Sequence, residues 1–176
     1  MNYAPFKMRV LAFLLDYLLI LSYGIFVVGS VSLLFRQPLN FLFSNSPVIA
    51  QITGFVMMTA PVSLYFILSE CSKWKGTWGK RKMSLQVVND QGDRLGLSRS
   101  LIRTAIKFLP WEVAHFAIWR LMLPTSYSEK TLYIVLNTVN VAILLYLIVP
   151  FTNKKRRNIY DWLAGTAVVE KEDESS

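Results

Sequence analysis

Four apolar stretches dominate this chain, and two strongly basic stretches interrupt them. The first runs from Val10 to Phe35, longer than the roughly 20 residues with which an α-helix crosses the hydrocarbon core of a bilayer, and Asp16 is its one charge. The second, Pro47 to Leu68, is almost free of charge and contains Pro61, which removes a backbone donor and predicts a kink. Thr131 to Phe151 is a further clear span. Between these lies Phe108 to Leu123, which is shorter and carries Glu112, His115 and Arg120; its pattern alone fits a span or a surface helix.

Charge placement decides between those two readings. Nine Lys or Arg residues fall between Lys73 and Lys107, and four more form the run Lys154 to Arg157, whereas the loops around Arg36 and Lys130 hold one each. The positive-inside rule puts the central loop and the C-terminal segment in the cytoplasm, and Lys7 with Arg9 puts the N-terminus there too. An even number of crossings must then separate the two basic stretches. The expected architecture is an all-α membrane protein, a four-helix transmembrane bundle with spans near 10–35, 47–68, 108–123 and 131–151, a cytoplasmic loop 71–107 and both termini cytoplasmic.

Composition agrees: 53% of the 176 residues are hydrophobic and 17% charged, against a usual quarter in soluble domains. The first stretch is too long for a cleaved signal peptide, contains Asp16 and lacks a small-x-small cleavage site, so it reads as a retained span. A net charge of +8 raises nucleic acid as a partner. The basic residues sit beside the spans, however, where orientation and attraction to anionic headgroups require them, and no nucleic-acid-binding pattern is present. Cys71 is the single cysteine, which excludes an internal disulfide and a cysteine-based metal site.

The central loop has its own pattern. Leu85 to Val88 and Arg94 to Leu97 read as two short β segments joined by the turn-rich Asn89 to Asp93, a small cytoplasmic β-hairpin. Ser98 is a candidate N-cap for a helix on which Arg99, Arg103 and Lys107 recur every four residues, opposite Leu101, Ile102, Ala105, Ile106 and Leu109. This reads as an interfacial amphipathic helix with lipid-facing basic residues Arg99, Arg103 and Lys107, or equally as a packing helix under the bundle. Pro110 is expected to redirect the chain into the third span. Near the C-terminus Arg157 and Asp161 share a helical turn, Gly165 suits a left-handed stop, and Thr166 to Val169 is a strand available to pair with Leu85 to Val88. The remainder, 170–176, reads as an acidic disordered tail after a single membrane domain over 1–169.

An acid inside an apolar helix is a functional-site hypothesis by default. At about 1.5 Å per residue Asp16 lies roughly 10 Å in from Arg9 on the same face, and Glu112 and His115, three apart, share a face of the third segment. If that segment packs beside the first, Asp16, Glu112 and His115 form a candidate ion or proton site, with Arg9 at its mouth and Asp161 nearby. The competing reading is structural: Asp16 hydrogen-bonds a group that locks the bundle, while Arg9 pairs with Asp161 and pins the tail. No second Glu-x-x-His pair supports a dimetal site, and no nucleophile and base set, phosphate loop or zinc-protease motif points to an enzyme or a cofactor.

Three separated motifs carry a resemblance: Arg9-x-x-Ala12-x-x-x-Asp16, Gly76-Thr77-Trp78-Gly79-Lys80-Arg81, and Asp161-x-x-Ala164-Gly165-Thr166. In this order they resemble the RDD family of bacterial multi-pass membrane proteins, named for one arginine and two aspartates that map to Arg9, Asp16 and Asp161. The resemblance implies a bacterial plasma-membrane protein with a suspected transport role. Some members look like cation/proton antiporters and at least one type like a modulator of a membrane protease. Two functions are therefore expected: a small cation/proton transporter coupled through Asp16, requiring a homo-oligomer, or a non-transporting partner that regulates or assembles another membrane protein.

Overall fold

The computed structural model describes residues 1–171, and the proposed acidic tail beyond Lys171 lies outside the described residues. The chain is mostly helical. Its elements are α1 (Phe6–Leu34), α2 (Arg36–Asn45), α3 (Pro47–Glu70), α4 (Trp78–Lys82), β1 (Leu85–Asn89), α5 (Leu97–Met122), α6 (Glu129–Phe151), α7 (Ile159–Leu163) and β2 (Thr166–Glu170). Among the described residues α1, α3 and α6 are long and apolar enough to cross a membrane. Their outward faces are apolar, as at Phe26 and Leu33, which a lipid solvent favours and water does not.

The chain divides into two compact units, one built from Met1–Ile20, Ser63–Lys107 and the segment from Tyr146 onward, the other from Leu21–Val62 and Phe108–Leu145. In the first unit β1 and β2 pair antiparallel, with Leu85 opposite Glu170, Val87 opposite Val168 and Asn89 opposite Thr166. The strand foreseen at Thr166 to Val169 is thus present and extends through Glu170, one residue into the segment assigned to the tail. The expected hairpin is not formed: only the single bridge Val88 to Arg94 survives of it. Asn89 Oδ1 accepts the amides of Gln91 and Asp93, and Gly92 at φ 89° closes a tight turn. With α5 starting at Leu97, two residues ahead of the start expected from a cap at Ser98, too little extended chain remains for a second strand.

Both outer edges of the sheet are covered. The Val87 amide bonds the Lys75 carbonyl at 2.6 Å, and the Ala4 and Glu170 amides bond the carbonyls of Val168 and Asn2 at 3.0 and 2.9 Å. Among the described residues each edge of the sheet is thus partly paired, which blunts it as a template for another strand. Ala4, Ala12, Leu85, Val87, Leu95 and Val168 form the buried core on one face, with Val88, Ala167 and Val169 on the other. Gly165 takes the left-handed conformation expected of it, φ 61°, between α7 and β2.

Pro61 and Pro110 lie inside helices, and each frees a carbonyl that a tyrosine hydroxyl meets. In the second unit α3 contains a π turn at Phe55–Thr59, one residue ahead of Pro61, where the Ala60 amide bonds the Phe55 carbonyl five residues back. The α-helical donor for the Met57 carbonyl would be the amide of residue 61, which proline lacks; Tyr23 Oη donates to that carbonyl at 2.8 Å instead. A matching π turn occupies Gly24–Val28 of α1. In α5, Pro110 does not redirect the chain: Leu97–Met122 is one helix with the proline inside. Here the orphaned acceptor is the Ile106 carbonyl, and Tyr146 Oη donates to it at 2.7 Å. Satisfying that carbonyl removes much of the penalty that would otherwise break the helix.

If Tyr23 substitutes for the missing amide, the two sites must couple. Tyr23→Phe is expected to cost about 1–2 kcal/mol in detergent unfolding, and substantially less when combined with Pro61→Ala, because alanine at 61 supplies an amide. Equal costs in both backgrounds would contradict this account.

Candidate functional site

The polar groups of the first unit converge on two carboxylates from opposite ends of the chain. Asp16, on α1, is 2% exposed. Its Oδ1 accepts the Gly79 amide at 2.8 Å and Tyr65 Oη at 2.9 Å, and its Oδ2 accepts Thr77 Oγ1 at 2.5 Å. Tyr65 Oη in turn accepts the Trp78 amide at 2.8 Å. Asp16 therefore serves the amide end of the short helix α4 from another helix, satisfying donors that a helix start leaves open.

This contact explains the small residues of the motifs. A Cβ at Gly79 would lie 2.1 Å from the Ala12 carbonyl oxygen and 2.9 Å from Asp16 Cγ. Ala12 is itself buried against this segment, so α1 and α4 approach as only small residues permit.

Asp161, fully buried on α7, is the second centre. Asn158 caps α7, its side chain and that of Asp161 forming a reciprocal capping box. Asp161 Oδ2 accepts the Asn158 amide at 2.9 Å and Arg9 Nη2 at 2.8 Å. Asp161 Oδ1 accepts Arg103 Nε at 3.0 Å and Nη2 at 2.8 Å. The remaining terminal nitrogen of Arg103, Nη1, donates to both oxygens of Glu70 at 2.7 Å, and Lys80 Nζ reaches Glu70 Oε1 at 2.7 Å. Arg9 also donates to the Arg156 carbonyl. One chain of charge thus runs Arg9, Asp161, Arg103, Glu70, Lys80 and ties α1, α3, α4, α5 and α7 together.

Burial opposes charge on both members of the central pair. For Asp161 desolvation would raise the pKa, but Arg103, Arg9 and the Asn158 amide outweigh it and hold the carboxyl below its ordinary value. For Arg103 desolvation would favour loss of the proton, and Glu70 and Asp161 reverse the direction. Its guanidinium also lies 5.0 Å from the ring centre of Tyr160.

The sequence-based candidates are placed as follows. Arg9 and Asp161 are bonded to each other. Asp16 belongs to the first unit and Glu112 and His115 to the second, and each takes its hydrogen bonds within its own unit. Glu112 accepts Thr59 Oγ1 at 2.5 Å, and His115 Nδ1 is 3.0 Å from the Trp111 carbonyl. Of Arg99, Arg103 and Lys107, Arg99 alone is exposed as a lipid-facing residue would be. Arg103 is a correction: it is 2% exposed and faces the two carboxylates, because a guanidinium offers donors to both at once where lipid offers none inside the fold. Lys107 is half-buried, its Nζ 3.4 Å from the ring centre of Phe66. Glu70 and Lys80 were not foreseen as site residues. The available signal was an acid closing an apolar span directly before a basic loop, a place where an unpaired carboxylate is costly. Among the described residues no group of three His, Cys, Asp or Glu side chains is placed to hold a metal ion.

Apolar helices long enough to span a bilayer, joined by a buried polar clasp, define an integral membrane protein. The RDD family model matches residues 3–165, and the chain belongs to the RDD family, whose members are membrane proteins. Neither a curated protein nor a solved structure matches it.

Two outcomes test the clasp. Gly79→Ala is expected to lose about 3 kcal/mol or fail to fold, whereas Gly96→Ala, with nothing within 4 Å of the added carbon, stays within about 1 kcal/mol in the same unfolding assay. Asp161→Asn is expected to cost about 3 kcal/mol at neutral pH by stranding buried cations. A depressed folded-state pKa stabilises above the unfolded value of about 3.9 and ceases to do so as pH falls through the folded value. The difference between native protein and Asp161→Asn should therefore shrink under acid, and a constant difference would exclude an ionised Asp161.

Proposed function

We propose that this chain is a non-transporting membrane partner, one that assembles with or regulates another membrane protein in a bacterial plasma membrane. The observation that carries this reading is the state of Asp16. Both of its oxygens are occupied by donors of the same chain, and the side chains around it include Arg9, Lys80, Arg103 and Lys107. A carboxylate so engaged, among cations, is poorly suited to take up and release a metal cation. The three family residues instead organise a folded membrane-edge platform. In this reading α5 supplies the fourth crossing after Lys107, and the basic loop, both termini and the β1 and β2 sheet lie in the cytoplasm, as the distribution of Lys and Arg favours. The cytoplasmic face then carries the contacts with the partner, and Arg99 and its basic neighbours favour anionic headgroups.

One observation favours cation/proton exchange by a homo-oligomer. In the second unit Glu112 is a half-buried carboxyl bonded to Thr59, the last residue of the α3 π turn, and π turns are frequent at functional sites. Proton movement driven by sodium, potassium or lithium in inverted membrane vesicles separates the two readings. The partner reading expects no flux above empty vesicles, for native protein or for Asp16→Asn and Glu112→Gln at matched abundance. Flux in the native protein that either substitution abolishes establishes the exchanger and overturns the proposal.

A further inference from the structure

Lys107 lies one turn of α5 beyond Arg103, inside the first unit. The residue is half-buried, but its amine is the inner end: Nζ sits 3.4 Å from the ring centre of Phe66. Lys107 and Lys80 both line a cavity of about 70 Å³. Lys80 Nζ lies 5.4 Å from the centre of the same Phe66 ring, so two lysine amines share one phenyl group. Glu70, 2.7 Å from Lys80 Nζ, keeps that second amine charged.

Each element around Lys107 brings an ionisable group to this space: Lys80 from α4, Glu70 from α3, Arg103 from α5, Arg9 and Asp16 from α1, and Tyr160 from α7. Burial acts most strongly on the amine, and it disfavours the ammonium form. Lys80 repels that charge more than Glu70 attracts it, and Arg103 repels it more than Asp16 attracts it. The pKa of Lys107 is therefore held well below its ordinary value, and more of it is free amine at neutral pH than of an exposed lysine. Desolvation beside a second cation is how a lysine becomes a nucleophile. The surroundings that disfavour a positive charge at this nitrogen favour a negative one. The cavity limits the electrophile by size, since one water takes about 10–15 Å³ of such space and only a molecule of a few heavy atoms enters.

We propose that Lys107 is a modification site for carbon dioxide, forming a reversible carbamate in this cavity beside Lys80. The Nζ lone pair bonds the carbon of carbon dioxide, one carbon–oxygen π pair moves onto oxygen, and the nitrogen gives one proton to solvent water. The amine and carbon dioxide thus yield a carbamate anion and a proton, with no leaving group and no redox partner. Lys80 Nζ carries three donors, of which Glu70 takes one, so Lys80 supplies a charge-assisted hydrogen bond to the new anion. Modification exchanges a poorly tolerated ammonium for an anion held by Lys80 and adds a carbon dioxide-dependent link to the clasp.

The test uses the full chain in neutral detergent, equilibrated with isotopically labelled bicarbonate and carbon dioxide at mildly alkaline pH. Triethyloxonium ion then alkylates any carbamate, and the label is located by digestion and mass spectrometry. Label at Lys107 is expected to exceed that at the exposed Lys154 and Lys155 by at least about tenfold, because each unit by which a lysine pKa falls raises its free amine about tenfold. The label should disappear when carbon dioxide is purged before alkylation, and the preference for Lys107 should vanish when the chain is unfolded first. Lys80→Gln should reduce labelling of Lys107 by about tenfold, and Lys80→Arg should retain it. The proposal is overturned if Lys107 in the folded protein takes no label, if it labels no more than Lys154 and Lys155, or if folded Lys80→Gln labels as native protein does. Because the comparison among lysines is made within native protein, it stands even where a variant does not fold.

Discussion

Arg103 held between Asp161 and Glu70 is the interaction on which the first unit depends. A guanidinium and two carboxylates have all left solvent, and each is tolerable only because the others are in place. The arrangement is cooperative for that reason. Glu70 ends α3, Arg103 sits in the second turn of α5 and Asp161 lies on α7, so pairing them sets how three separate segments meet. Once α7 is placed, its capping box at Asn158 and the left-handed Gly165 deliver β2 to β1, and the sheet follows.

Asp16 acts by the same physics at a second point. Where Asp161 gathers guanidinium donors, Asp16 gathers a hydroxyl, a phenol and a backbone amide, and so fastens the start of α4 to α1. Close approach is the condition for that bond, which is why Gly79 and Ala12 are small. Tyr23 and Tyr146 extend the principle to the backbone, each meeting a carbonyl that a helical proline has left without its donor. In an apolar helix an unmet polar atom has no solvent to fall back on, and these two carbonyls are met by tyrosine hydroxyls.

This engagement shapes the functional reading. A motif that holds a fold together and a motif that moves an ion can share residue types, but the first must keep its contacts and the second must exchange them. The acids of the first unit keep theirs, which favours a platform for a partner.

The spans α1, α3 and α6, the left-handed Gly165 and the strand at Thr166 to Val169 were all legible along the chain, as was the weight of Arg9, Asp16 and Asp161. Hydropathy, turn chemistry and motif spacing are local properties, and a bilayer converts them directly into helices. The direction of Arg103 was not legible, because its four-residue spacing with Arg99 and Lys107 describes a basic stripe without saying which member meets a carboxylate from elsewhere. Nor was the choice of β2 over Arg94 to Leu97 as partner for β1, which depends on a compact turn and on α5 beginning at Leu97. Pro110 reads as a break until Tyr146 is seen to satisfy the Ile106 carbonyl. Each of these was decided by a partner 33 or more residues away in the chain, and only packing reveals which distant group satisfies a buried charge or an orphaned carbonyl.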